Sequence, residues 1–127
     1  MKKRIYIAGP MTGYDDLNFP AFHAAAATFR AIGIDVVNPA EINPAIEADW
    51  VDCMRADIQQ LATCTGIYLL PGWEKSRGAS LEHDIARTLG FDVALAPGAL
   101  YIPLNETESV KAYIGRKLTV QESSHVV

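Results

Sequence analysis

An α/β domain built on a parallel sheet is what this sequence predicts, and three observations predict it. Short apolar runs at Arg4–Ala8, Ile34–Val37, Gly66–Leu70 and Phe91–Ala96 have strand length and β-branched or aromatic content. Segments of helical spacing separate them, at about Phe19–Ile32, Asp49–Thr63 and Leu81–Leu89. Glycine and proline punctuate the junctions, at Gly9-Pro10, Gly13, Gly33, Asn38-Pro39, Asn43-Pro44 and Gly90. Strands alternating with helices of this length leave few topologies besides right-handed crossovers onto a parallel sheet. The expected architecture is a single Rossmann-like or flavodoxin-like domain, with about four to five parallel strands and helices on both faces.

Each element has a local reason. Asn18 is a candidate cap for the first helix, Pro20 is tolerated near its start, and Gly33 marks its end. The alanines from Ala24 to Ala27 suggest close packing of that helix. Residues 38–44 read as a turn-rich loop, because two Asn-Pro steps disfavour helix. Trp50, Val51, Met54, Ile58 and Leu61 carry the apolar spacing of the second helix. Beyond Pro97 the pattern weakens: 100–104 is a candidate edge strand, 106–118 a candidate helix, and 121–127 a frayed tail. One domain over 1–120 is expected.

Composition narrows the function. The chain has 127 residues, of which 50% are hydrophobic and 20% charged, ordinary values for one compact domain. A net charge of −4 offers no basic footprint for a nucleic-acid polymer or an anionic membrane. The opening Met-Lys-Lys-Arg runs straight into a strand, without the apolar core of a signal peptide, so a cytosolic protein is expected. Cys53 and Cys64 are too few for a zinc site and read as small core or helix residues. His23, His83 and His125 lack metal-ligand spacing, and Ser124-His125 makes no credible catalytic pair. Gly9-Pro10-Met11-Thr12-Gly13 lacks the G-x-G-x-x-G spacing of a dinucleotide dehydrogenase, and a Walker-type phosphate loop is absent.

The segment Ser76-Arg77-Gly78-Ala79-Ser80-Leu81-Glu82 follows the apolar run Gly66–Leu70 and delivers a glutamate to the start of a helix. In an open α/β sheet, ligands bind beyond the carboxyl ends of the strands, where free helix N–H groups attract anions. Glu82 lies within a turn of such a place. Its competing reading is a solvated first-turn glutamate favoured by the helix dipole.

Tyr6-Ile7-Ala8-Gly9-Pro10, Asp57 before the third strand, and Ser76-x-Gly78-x-x-x-Glu82 after it resemble the nucleoside 2-deoxyribosyltransferase superfamily. The likeness spans residues 4 to about 96. The opening Tyr-Ile-Ala-Gly-Pro-Met-Thr-Gly also resembles the short, phage-associated DUF4406 group placed beside those transferases. This resemblance implies cleavage of an N-glycosidic bond, with Glu82 attacking the anomeric carbon to hold the sugar as a covalent intermediate. It implies that Tyr6 orients Glu82, that Asp57 supplies or relays the proton of the leaving base, and that neither a metal nor a cofactor is needed. Each has a plainer alternative: Tyr6 as a core or rim residue, Asp57 as part of a solvated helix face with Asp52 and Arg55.

Ser76 bears on the substrate. In the superfamily, transferases acting on free nucleosides carry an acid six residues before the nucleophile, whereas nucleoside monophosphate hydrolases carry serine. A hydroxyl beside free amides accommodates a phosphate that a carboxylate repels. Lys75, Arg77 and Thr12 are further donors, and Gly9, Pro10, Met11 and Gly78 complete the expected substrate-binding set. The alternative role of Ser76 is helix capping, and Gly9, Gly13 and Gly78 are expected to serve backbone shape. One departure stands out: Asp84, preceded by His83, occupies a position where many members have glycine.

The expected activity is therefore N-glycosidic cleavage of a (deoxy)nucleoside 5′-monophosphate. The alternatives are base exchange between nucleosides, a binder that sequesters nucleotides, and hydrolysis of nicotinamide from a dinucleotide. The expected partner is a small nucleoside or nucleotide, and the resemblance implies a homo-oligomer, a dimer or larger.

Overall fold

The computed structural model describes residues 2–42 and 49–96. Four strands form one sheet: β1 (Ile5–Ala8), β2 (Val36–Val37), β3 (Gly66–Leu69) and β4 (Asp92–Leu95). Their order is β2-β1-β3-β4 and every pairing is parallel, with Ile5 opposite both Val36 and Gly66, and Gly66 opposite Asp92. The helices are α1 (Phe19–Ala31), the single turn α2 (Pro39–Ile42), α3 (Trp50–Leu61) and α4 (Arg77–Thr88). The α/β expectation, with a parallel sheet of four strands between helices, is met. The expected strand at 100–104, the helix at 106–118 and the tail at 121–127 lie outside the described residues.

Strand alternation divides the core. Ile5 and Ile7 point to one face, where Phe22, Ala26 and Phe29 of α1 cover them. Tyr6 and Ala8 point to the other, against Leu61 of α3 and Ala79 and Ala86 of α4. β1 is buried along its whole length, as an interior parallel strand must be. The chain steps from β1 outward to β2, then back past β1 to β3. That reversal opens a crevice beyond the carboxyl ends of β1 and β3.

Three local expectations are corrected. The Asn38–Pro44 loop contains α2, because Asn38, buried beside β2, accepts from the Ala40 N–H at 3.0 Å and so caps a turn starting at Pro39. Asn18 does not cap α1 with its side chain; it has a φ of 61°, and its Nδ2 donates to the Pro10 carbonyl at 2.9 Å. The largest correction is α4, which begins at Arg77 and not near Leu81, with Ser76 as its N-cap. The alanine run is only partly interior: Ala26 is buried, while Ala24 and Ala27 are exposed.

Where β1 and β3 end, their backbones come close. A Cβ on Gly9 would lie 2.7 Å from Leu70 Cβ, an atom fixed to the backbone. Gly9 thus serves close approach rather than an unusual φ. Gly9→Ala is expected to cost about 1–3 kcal/mol by overpacking and to lower the melting temperature by several degrees; an unchanged melt would refute the packing argument.

Candidate active site

The crevice is a cleft of about 600 Å³. One wall comes from the loop after β1 and the start of α1, including Met11, Thr12, Tyr14, Phe19 and Phe22. The other comes from α3 and α4, whose facing residues include Trp50, Cys53, Met54, Asp57, Ser76, Arg77 and Glu82.

Glu82 reaches the cleft through the pattern of α4. The residues that α4 buries are Ala79, Glu82 and Ala86, the inward stripe of a helix packed on a sheet. A glutamate therefore occupies the middle of an otherwise apolar stripe and is 5% exposed. The first-turn, water-exposed reading of Glu82 is overturned, because the helix starts five residues earlier and turns that position toward the sheet. The Tyr6 hydroxyl donates to Glu82 Oε2 at 2.6 Å across a buried contact. Burial pushes the Glu82 carboxyl up to about 8, helped by the negative charge of Asp57 and opposed by the Tyr6 hydrogen bond. Burial, together with the Glu82 charge, drives the Tyr6 phenol well above its ordinary value, so it remains a neutral donor.

Asp57 arrives by the same construction. The buried residues of α3 are Met54, Asp57 and Leu61, so an acid again stands in the middle of an apolar stripe. It is 7% exposed, which removes the solvated-face reading. Asp49 caps this helix, accepting from the Val51 and Asp52 N–H groups at 3.1 and 3.2 Å. The two helices pack closely at Gly78, where an added Cβ would lie 3.1 Å from Met54 Sδ. The Arg77 guanidinium sits 3.9 Å from the Trp50 ring centroid and ties their N-termini together.

Of the expected catalytic and substrate-binding set, all but Tyr6, which lies behind Glu82, line this cleft: Gly9, Pro10, Met11, Thr12, Asp57, Ser76, Arg77, Gly78 and Glu82, with Lys75 beside them. Ser76 does cap α4, accepting from the Ala79 N–H at 3.1 Å. Its hydroxyl proton stays free to donate, and the Arg77 and Gly78 N–H groups belong to the first turn, which has no intrahelical acceptors. Sequence reasoning missed the apolar side of the cleft, above all Phe19, Phe22, Pro39 and Trp50. Trp50 was visible only as one member of an apolar period. An available signal for both acids was their place on the inward stripe, three or four residues from buried neighbours. Cys53 lines the cleft, and burial pushes its thiol up, away from the reactive thiolate. Among the described residues no group of three His, Cys, Asp or Glu side chains converges to hold a metal ion. No described helix is long and apolar enough to cross a membrane.

This sheet, with its crevice between β1 and β3, is the fold of the nucleoside 2-deoxyribosyltransferases. A 2-desoxiribosyltransferase from Leishmania mexicana superposes with a TM-score of 0.59 at 23% identity over 73% of this chain. The chain spans 63% of that protein's length. A 2-deoxyribosyltransferase from the psychrotolerant bacterium Bacillus psychrosaccharolyticus gives a TM-score of 0.59 at 21% identity, covering 84% of this chain and 81% of its own. Residues 3–95 match the domain of unknown function DUF4406, and the chain belongs to that family. No curated protein matches the sequence.

Proposed function

We propose that the protein is an enzyme that cleaves the N-glycosidic bond of a (deoxy)nucleoside 5′-monophosphate through a covalent glycosyl-Glu82 intermediate. The observation that carries this reading is the Tyr6–Glu82 hydrogen bond, 2.6 Å long and buried behind the cleft. It fixes one carboxylate oxygen and leaves the other as nucleophile. The likeness to two proteins named as deoxyribosyltransferases supports the same bond as the target.

The reactive form has Glu82 ionised and Asp57 carrying a proton. As the C1′–N bond breaks, the sugar gains oxocarbenium character, which the Glu82 carboxylate stabilises before bonding to C1′. Asp57 gives its proton to the departing base. Water then attacks C1′ as Asp57 takes back a proton, releasing the sugar phosphate and regenerating Glu82. The 5′-phosphate is received at the α4 N-terminus by the Ser76 hydroxyl, the first-turn N–H groups, Lys75 and Arg77. Base exchange is the second reading, favoured by the transferase likeness; a second base replaces water in the last step. A homo-oligomeric assembly is proposed on the same resemblance.

The test is chromatography of free base released from deoxynucleosides and their 5′-monophosphates, with and without an acceptor base. Release from monophosphates alone supports hydrolysis, whereas exchange on free nucleosides supports transfer. No release from any of them would overturn the enzymatic reading.

Asp57→Asn is expected to slow release of an ordinary base by about 10²–10⁴-fold, the range of general-acid catalysis. The loss should shrink for a substrate whose base departs without protonation. An equal loss for both substrates would remove Asp57 from the proton path.

A further inference from the structure

The loop leaving β1 carries a tyrosine that the chemistry above does not use. Between Gly13 and α1, Asp16, Leu17 and Asn18 have φ values of 52°, 53° and 61°. Three consecutive residues with side chains in the left-handed region are costly and persist only where surrounding contacts over-determine them, a situation that concentrates at ligand clamps. Those contacts are present. The Tyr14 N–H donates to the Met11 carbonyl and the Leu17 N–H to the Tyr14 carbonyl, each at 3.0 Å, and Asn18 Nδ2 donates to the Pro10 carbonyl.

The strap holds Tyr14 across the crevice. A Cβ placed on Gly72 would lie 2.7 Å from the Tyr14 hydroxyl oxygen and 3.3 Å from Pro10 Cγ. The phenol therefore reaches from the loop after β1 to Gly72 in the loop after β3, which Pro10 also abuts. Gly72, with a φ of 89°, is conformationally suited to glycine, and an added Cβ there would displace the Tyr14 hydroxyl. Tyr14 and Gly72 line the same cleft as Lys75 and Ser76, which follow Gly72 by three and four residues. Tyr14 is 47% exposed, and among the described residues its hydroxyl has no hydrogen-bond partner. A strained backbone thus holds a free donor beside Gly72, in the cleft that Ser76 and Arg77 also line.

We propose that Tyr14 determines specificity for the 5′ group of the substrate: its hydroxyl donates to the 5′-phosphate from the side opposite Ser76 and the first turn of α4. The inference deepens the nucleotide reading and rests on it. Gly72 is the corresponding clearance residue, keeping the phenol down in the cleft.

The experiment is calorimetric titration of the full chain carrying Glu82→Ala, which prevents turnover, with the four deoxynucleoside 5′-monophosphates and the four deoxynucleosides. Adding Tyr14→Phe removes one hydrogen bond to a charged acceptor, which predicts about a ten-fold loss of affinity for the monophosphate and none for the nucleoside. Gly72→Ala keeps the tyrosine but displaces it, and should reproduce the selective loss in a chain whose melt is checked separately. Equal losses for both ligands, unchanged affinities, or no preference for monophosphate in the Glu82→Ala parent would each overturn the proposal. The two readings fail separately. Monophosphate binding that depends on Tyr14, with no base released by the wild type, sinks the enzymatic reading and keeps this one; base release indifferent to Tyr14→Phe does the reverse.

Discussion

Glu82→Gln is expected to reduce base release by about 10⁴-fold or more, the scale on which loss of a nucleophile acts, while the protein stays folded. The reasoning begins with size and polarity: glutamine fills the same volume, and its amide oxygen still accepts from the Tyr6 hydroxyl, which in the wild type donates at 2.6 Å. Packing on the inward stripe of α4, between Ala79 and Ala86, is preserved. On the proposed mechanism, what disappears is the charge that stabilises the oxocarbenium ion and the lone pair that bonds to C1′. Steady-state rates on the substrate with the fastest wild-type turnover, read beside thermal melts, check this. Retention of more than a tenth of the rate by a folded Glu82→Gln protein would remove Glu82 as nucleophile.

The second large effect is pH dependence. Burial, with the charge of Asp57, holds the Glu82 carboxyl near 8 instead of the ordinary 4.5. On the proposed mechanism Glu82 is ionised while Asp57 keeps a proton, so the competent form holds one proton between the two acids. The value of kcat/KM is therefore expected to fall about ten-fold per pH unit above about pH 8, where that proton leaves. The same shift has a stability consequence. Because the folded-state value is raised, the folded protein keeps a proton that the unfolded chain releases, and the contribution is complete below about 4.5. It is lost as pH rises through the window from about 4.5 to about 8, an effect on the order of a few kcal/mol. Denaturant melts across this window should show wild type losing stability relative to Glu82→Gln as pH increases. Activity that already falls from about pH 4–5 upward, with parallel stability curves, would mean that Glu82 ionises like a surface carboxylate.

Both effects arise from an arrangement that was only half visible beforehand. The strand-turn-helix setting of Glu82 was legible, because a strand, a glycine-containing turn and a helical period are local patterns. Its burial was not. Ser76 was open to capping or to ligand binding, and taking the helix to begin near Leu81 left Glu82 in a solvated first turn. The N-cap at Ser76 moves the helix origin back, and five residues of helix rotate Glu82 inward. Asp57 was concealed in a similar way, since Asp52 and Arg55 beside it suggested a polar face. The aromatic side of the cleft was missed altogether, because Phe19, Phe22 and Trp50 satisfy an apolar period whether or not a ligand lies against them. Asn18 looked like a cap and instead anchors a left-handed strap to Pro10, a role that depends on where the β1 loop folds back.

By itself, then, the sequence determined the alternation of strands and helices, and with it a parallel α/β sheet whose loops gather at one edge. Hydrophobic period, glycine and proline act within a few residues, so they survive reading one position at a time. Tertiary structure decided the state of the site. Tyr6 and Glu82 lie 76 positions apart and meet only because β1 pairs with β3 and α4 packs over both. A carboxyl's proton affinity is set by the water removed from around it, and here that water is displaced by strands and helices drawn from the full length of the described fold.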